Sequence, residues 1–247
     1  MISPTIAKLK KFKHSKGDTR NYWFDGISTY VVRAIFNTSI TPIQVNLCVT
    51  VVGLIMGIAF LAGSLFGKIF GILLFFLYII LDATDGQLAR ARKDVSLKGE
   101  YLDKMGHYIV YPFVSFSIGY ASFQLTNEMI TLWAGFGMSI AMTLSSASKD
   151  CFISVYKVPD SQVRKLRKKL KFRLKEVILK IVRFEIFIYM VVVAGIIDYF
   201  TNTSITISNY HLNIESIVII IYSILLLVLN AFKTYLFFKK ERLIRSP

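Results

Sequence analysis

The sequence predicts an all-α integral membrane protein: six transmembrane helices preceded by an N-terminal amphipathic segment at the membrane interface. Three observations lead there. The 247 residues are 54% hydrophobic with a mean hydropathy of +0.55, too apolar for an ordinary soluble domain. Apolar runs recur at lengths close to the roughly 20 residues that cross a hydrocarbon core. Lysine and arginine gather at alternate turns between those runs, as they do in membrane proteins of fixed orientation. A juxtamembrane segment, residues 1–42, and one transmembrane domain, residues 43–247, follow from this pattern.

In the first segment Lys8, Lys10, Lys11, Lys13, Lys16, Arg20 and Arg33 are interleaved with Tyr22, Trp23, Phe24, Tyr30 and Phe36. Rings at headgroup depth with lysines reaching lipid phosphates describe a segment lying along the cytoplasmic interface. Ahead of Tyr22 a basic tail without fixed structure fits the composition equally well. No apolar core of signal-peptide length precedes Tyr22, so insertion is expected to rely on the first membrane helix. Thr41-Pro42 starts that helix, because proline is tolerated in a first turn.

The six spans are placed at about 43–66, 69–92, 99–122, 128–148, 177–199 and 214–237. Arg90, Arg92, Lys93 and Lys98 flank the second turn-back, and a dense basic block fills the fourth. The loops on the other side hold Lys68 and then no lysine or arginine in residues 124–128 or 200–213. Both termini are therefore expected in the cytoplasm. The formal charge of +15 sits beside apolar spans, where anionic lipid headgroups are its natural partners and nucleic acid is not. Cys48 and Cys151 offer no disulfide framework and read as small packing residues.

Within the fourth turn, residues 149–175, the run RKLRKKLKFRLK carries Leu166, Leu170, Phe172 and Leu174 among its charges. It reads as a basic amphipathic helix on the membrane surface. A sharper reading has some of its arginines, with Arg183 inside the fifth span, clamping a phosphate by bidentate hydrogen bonds. Arg183 and Glu185 can equally be an internal pair. Gly53 with Gly57, and Gly63 with Gly67, have the spacing that lets helices approach closely, a weak sign of a dimer face. Pro112 is expected to bend the third span.

The chemistry-bearing stretch is Leu81 to His107, LDATDGQLARARKDVSLKGEYLDKMGH. Asp82 and Asp85 are three apart and share one helix face; Asp103 and His107 are four apart and do the same on the next helix. The apolar run before them, Ile69 to Leu81, is too short to cross the membrane alone, which places the first pair inside the span. Carboxylates there are costly unless paired, metal-bound or wet, and so are functional candidates. Facing pairs of this kind make a hard-cation site, better suited to magnesium or manganese than to zinc.

The same residues resemble the signature of the CDP-alcohol phosphotransferases, D-x-x-D-G-x-x-A-R, eight residues, then G-x-x-x-D-x-x-x-D. Asp82, Asp85, Gly86, Ala89, Arg90, Gly99 and Asp103 match it in identity and spacing, and His107 stands at the final aspartate. The resemblance implies a six-helix membrane fold and transfer of a substituted phosphate from a CDP-activated alcohol to a hydroxyl acceptor, with release of CMP. At least one of the two substrates would be a lipid, as in phospholipid synthesis from CDP-diacylglycerol. It further implies two magnesium or manganese ions on Asp82, Asp85 and Asp103, and a homodimer as a common assembly. Asp82, Gly86, Ala89, Arg90 and Gly99 would contact the nucleotide and its phosphates, the glycines by letting it lie against the backbone.

Three readings of His107 stay open: a general base in place of the aspartate, an altered metal site with another base, and an inactive CDP-alcohol-binding homologue. Neutral imidazole suits the first, since its pKa near 6.5 matches the task of taking a hydroxyl proton. Glu100 replaces the missing carboxylate only if it shares the face of Asp103. Arg92 reads as a cation snorkelling at the cytoplasmic boundary. A transporter with an intramembrane acidic site is the competing class, and the clustering of the carboxylates at one cytoplasmic end speaks against it.

Overall fold

The computed structural model describes residues 5–9, 11, 22–156, 184–201, 204–207 and 209–245. These form the helices α1 (Ile6–Leu9), α2 (Tyr22–Ile35), α3 (Pro42–Leu61), α4 (Leu65–Arg92), α5 (Leu97–Thr126), α6 (Met129–Tyr156), α7 (Phe184–Thr201) and α8 (Ile214–Arg245), with a hairpin of β1 (Ile205–Ile207) and β2 (Tyr210–Leu212) between the last two. The strands pair antiparallel, with Ile205 opposite Leu212; the sequence had given no sign of them. Among the described residues five helices, α3, α4, α6, α7 and α8, are long and apolar enough to cross a membrane, so the chain is a helical membrane protein. The predicted span at 99–122 falls within the continuous 30-residue α5 but does not reach that apolarity. Its first turns carry Glu100, Asp103, Lys104 and His107, and its later ones Pro112, Ser115, Ser117 and Ser122. On α3 the outward residues are Leu47, Val51, Ile55 and Ile58, all exposed, the pattern of a helix whose solvent is lipid.

Local chemistry sets the helix ends. Thr41 and Gln44 form a reciprocal cap at the start of α3: the Thr41 N–H donates to Gln44 Oε1 at 2.8 Å and the Gln44 N–H to Thr41 Oγ1 at 3.2 Å. Gly63, at φ 65°, ends that helix in the left-handed conformation that glycine adopts most readily. Ser64 then caps α4, accepting the Gly67 N–H at 3.1 Å, and Ser96 caps α5, accepting the Gly99 N–H at 3.1 Å. Lys93, at φ 58°, turns the chain out of α4.

Contacts divide the chain into two compact units. The first comprises residues 1–59 and 70–110. Its apolar core joins Leu9, Val32, Val45 and Leu88, with Ile35, Phe36, Leu81 and Ala91 around them. Gln87, buried in this unit, donates to the Leu9 carbonyl and to Thr29 Oγ1, both at 3.1 Å, and accepts from Ser28 Oγ at 3.2 Å. An amide with its hydrogen bonds made is tolerated inside an apolar bundle, and here it fastens α1 and α2 to α4.

Arg92 is not a snorkelling cation. Its guanidinium donates to the carbonyls of Ile35 (2.6 Å), Phe36 (2.6 Å), Thr38 (3.1 Å) and Ile40 (2.5 Å), and lies 5.7 Å from the Phe36 ring centre. The end of α2 leaves carbonyls without intrahelical partners, and a planar cation with five donors satisfies several at once. Gly53 also packs inside this unit: a Cβ there would lie 2.6 Å from the Val110 methyls and 3.2 Å from Tyr78. Gly53 thus serves a close helix contact within the chain.

The second unit comprises residues 60–69 and 111–247. In it α8 packs against α6 and α7. Lys68 and Glu215 form a buried ion pair, 7% and 2% exposed, beside Gly195, whose hypothetical Cβ would lie 2.7 Å from Lys68 Nζ. Asp198 caps α8, accepting the N–H groups of Ile214 at 3.0 Å and Glu215 at 2.8 Å. Lys68, Asp198, Asn213 and Glu215 line a cavity of about 720 Å³. Pro112 sits inside α5, and its carbonyl accepts from Ser139 Oγ at 2.7 Å. Cys48 and Cys151 are both free and exposed, so neither is the packing residue expected.

Candidate active site

The site lies in the first unit, where the last turns of α4 carry Asp82 to Arg90 and the first turns of α5 carry Gly99 to His107. The four residues between the helices, 93–96, bring the two faces together. One ligand atom from each of Asp82, Asp103 and His107 lies within 4.8 Å of the others. His107 Nδ1 is 2.8 Å from the Asp103 backbone oxygen and 3.7 Å from Asp103 Oδ1, while Nε2 is 3.4 Å from Asp82 Oδ1. A carbonyl only accepts, so Nδ1 carries the proton in that bond and Nε2 of the neutral ring keeps its lone pair. Tyr78 meets the imidazole edge-on, with ring centres 6.3 Å apart.

Nε2 and Asp82 Oδ1 are then two acceptors face to face. A proton or a cation between them relieves the opposition. An ion holding each ligand at about 2–2.5 Å has a shell no more than about 5 Å across, so the observed 4.8 Å leaves room for one divalent ion, which the imidazole either ligates as a third donor or, keeping its lone pair, adjoins as a base beside the two carboxylates. Asp85 is not part of that group. It is buried, 8% exposed, and its Oδ2 accepts from Asn46 Nδ2 of α3 at 2.8 Å.

The other motif positions lie on the same two helices. Arg90 folds back over Gly86, and a Cβ on Gly86 would lie 3.1 Å from its guanidinium. A Cβ on Gly99 would meet only Ser96 Oγ, at 3.2 Å. Ala89 is partly exposed on the same helix. Glu100 is turned outward and pairs with Lys104 at 3.0 Å, so it does not stand in for the carboxylate that His107 replaces. Arg183 and the basic run at 164–175 lie outside the described residues. Asn46, which hydrogen-bonds the motif residue Asp85, is what sequence reasoning missed, and its signal was an amide beyond the capping turn of a mostly apolar helix.

Two adjoining helix ends thus bring two carboxylates and an imidazole together in a group that could hold a metal ion. Comparison with known families specifies it further: residues 45–238 match CDP-alcohol phosphatidyltransferase. The chain belongs to that family, whose members transfer a substituted phosphate from a CDP-alcohol to an acceptor. No curated protein matches the chain.

Proposed function

We propose that the protein transfers the substituted phosphate of a CDP-activated alcohol to a hydroxyl acceptor, releasing CMP, with at least one substrate a lipid. Phospholipid head-group synthesis from CDP-diacylglycerol is the favoured form. The observation that carries this is the convergence of Asp82, Asp103 and His107 within 4.8 Å inside the region matching the family. Asp82, Asp85 and Asp103 would hold magnesium or manganese, two ions in all. When bound, such ions neutralise phosphoryl oxygens and steady the attacking and leaving oxygens of the displacement.

The chain's own residues do the rest. His107 Nε2 takes the proton of the acceptor hydroxyl, and Asp82 beside it stabilises the imidazolium that forms. The acceptor oxygen bonds to the phosphorus that bears the donor's alcohol as the bond from that phosphorus to CMP breaks, and CMP departs with the electron pair. Arg90 meets a donor phosphate, while Gly86, Ala89 and Gly99 leave space for the nucleotide against the helix backbones. Arg183 would bind a phosphate of the acceptor. Anionic headgroups would attract the basic segments, and the positive-inside pattern supports a cytoplasmic side for both termini and the site.

The test is CMP release by purified protein with magnesium or manganese and a panel of CDP-alcohols, with Asp85→Asn and Asp103→Asn alongside. Release that disappears in both variants supports the reading. If no donor yields CMP while a solute crosses liposomes bearing the protein, a transporter is the better account.

A further inference from the structure

We infer that Asn46 is a positioning residue for the metal site, acting through Asp85. The inference rests on the proposed metal role of the motif carboxylates and adds a residue from outside the motif. Three observations lead to it. Asn46 is 5% exposed, on a helix whose polar residues within the first unit are Gln44, Asn46 and Thr50. Gln44 is used in the cap of that helix. Thr50 turns its hydroxyl to the Asn46 carbonyl at 3.3 Å, which leaves the Asn46 side chain as the group that α3 extends to α4.

Its Nδ2 reaches Asp85 Oδ2 at 2.8 Å, across 39 residues of chain. The other carboxylate oxygen, Oδ1, faces the N–H of Gly86. Both oxygens of Asp85 are thus oriented by donors, one supplied by the motif's own backbone and the other by Asn46. Each carboxylate oxygen has two lone pairs, so Oδ2 can accept from Asn46 and still face a cation. A donor of this kind behind a ligand sets its rotamer, and losing it commonly weakens metal binding about 10- to 100-fold.

The packing around Asn46 makes the placement specific. A Cβ on Gly106, the neighbour of His107, would lie 2.7 Å from Thr50 Oγ1, so α5 and α3 are close in the turn next to Asn46. Asn46 therefore stands where α3, α4 and α5 of the first unit meet, with little room to turn its amide elsewhere. Leucine has the same branched heavy-atom skeleton, with somewhat bulkier methyls in place of the amide O and NH2, and has no donor. Asn46→Leu would leave Asp85 Oδ2 without its side-chain partner and without an added cavity.

The experiment measures Mn²⁺ binding to the full-length chain in detergent by the EPR signal of free aquo-Mn²⁺, which needs no turnover. Asn46→Leu is expected to weaken Mn²⁺ binding about 10- to 100-fold, and to change it by less than about twofold in an Asp85→Asn background, because the two act as one unit. A merely structural role for Asn46 would lower affinity equally in both backgrounds, and that result overturns the inference, as does unchanged affinity in Asn46→Leu alone. Thermal midpoints without Mn²⁺ report folding; if Asn46→Leu does not fold, Asn46→Ala carries the same comparison. Asp82→Asn and Asp103→Asn separate the two levels: if both bind Mn²⁺ as the wild type does, the metal reading falls and the Asn46 role with it. If both lose binding while Asn46→Leu keeps it, only the Asn46 role falls.

Discussion

His107 Nε2 lies 3.4 Å from Asp82 Oδ1. With Nδ1 fixed on the Asp103 carbonyl, the ring is held in one tautomer and points its lone pair at the acidic centre. This orientation would suit the proposed base: one nitrogen is anchored, the other carries the acceptor lone pair, and a carboxylate stands beside it. His107→Ala is therefore expected to lower CMP release about 10²- to 10⁴-fold, the range that a positioned general base supplies. His107→Asp retains an acceptor and is expected to keep a measurable share of the rate, at least ten times that of the alanine variant. Wild-type turnover in His107→Ala would remove the base assignment and leave His107 with another role.

How much of this was legible in the sequence depended on how far apart the partners lie. Asp82 and Asp85, and Asp103 and His107, are spaced on two helices joined by four residues, so helical periodicity put each pair on one face; the structure brings Asp82, Asp103 and His107 together and turns Asp85 to Asn46. The capped start of α3 was legible for the same reason, since Thr41 and Pro42 act locally. Asn46 was not, because its partner is 39 residues away and an amide in an apolar run does not say which helix it faces. The Lys68–Glu215 pair spans 147 residues and was equally hidden.

The readings that failed did so for a reason specific to membranes. In lipid an apolar or small residue is at ease on either side of a helix, so Cys48 could face outward without any change in the sequence pattern. Arg92 near a span end suits snorkelling or carbonyl capping equally, and only the position of the end of α2 decides. The predicted span at 99–122 is a different case, neither borne out nor overturned. The structure supplies the length in α5 but distributes hydroxyls and charges along it.

Arg92 makes the N-terminal segment a part of the motif helix. It follows Arg90 by two residues, yet its guanidinium is spent on carbonyls at residues 35–40. Arg92→Ala is expected to lower stability by about 1.5–3 kcal/mol, the usual worth of hydrogen bonds from a charged group, and to speed proteolysis within residues 36–41. Arg92→Lys should recover less than half of the loss, because an ammonium cannot match the planar fork. Limited proteolysis and thermal midpoints of the three proteins check this. Equal protease resistance in all three would show that α2 is held by Gln87 and its apolar contacts alone.

Lys68 and Glu215 give the second unit its clearest stability prediction. Both side chains are almost wholly buried, and Gly195 is the residue whose missing side chain makes room for them. Removing one partner leaves the other charge buried without compensation, which costs about 3–5 kcal/mol. Lys68→Met and Glu215→Leu should each lower the thermal midpoint sharply. The double variant should recover most of the loss, since an apolar pair of similar volume has no charge to desolvate. Gly195→Ala should resemble the single variants, because its Cβ would sit 2.7 Å from Lys68 Nζ and 3.0 Å from Glu215 Oε2. Thermal unfolding of all four proteins in one detergent separates these outcomes. If the double variant is as unstable as the sum of the singles, the two charges are held by other partners, and the pair is not the unit on which this region depends.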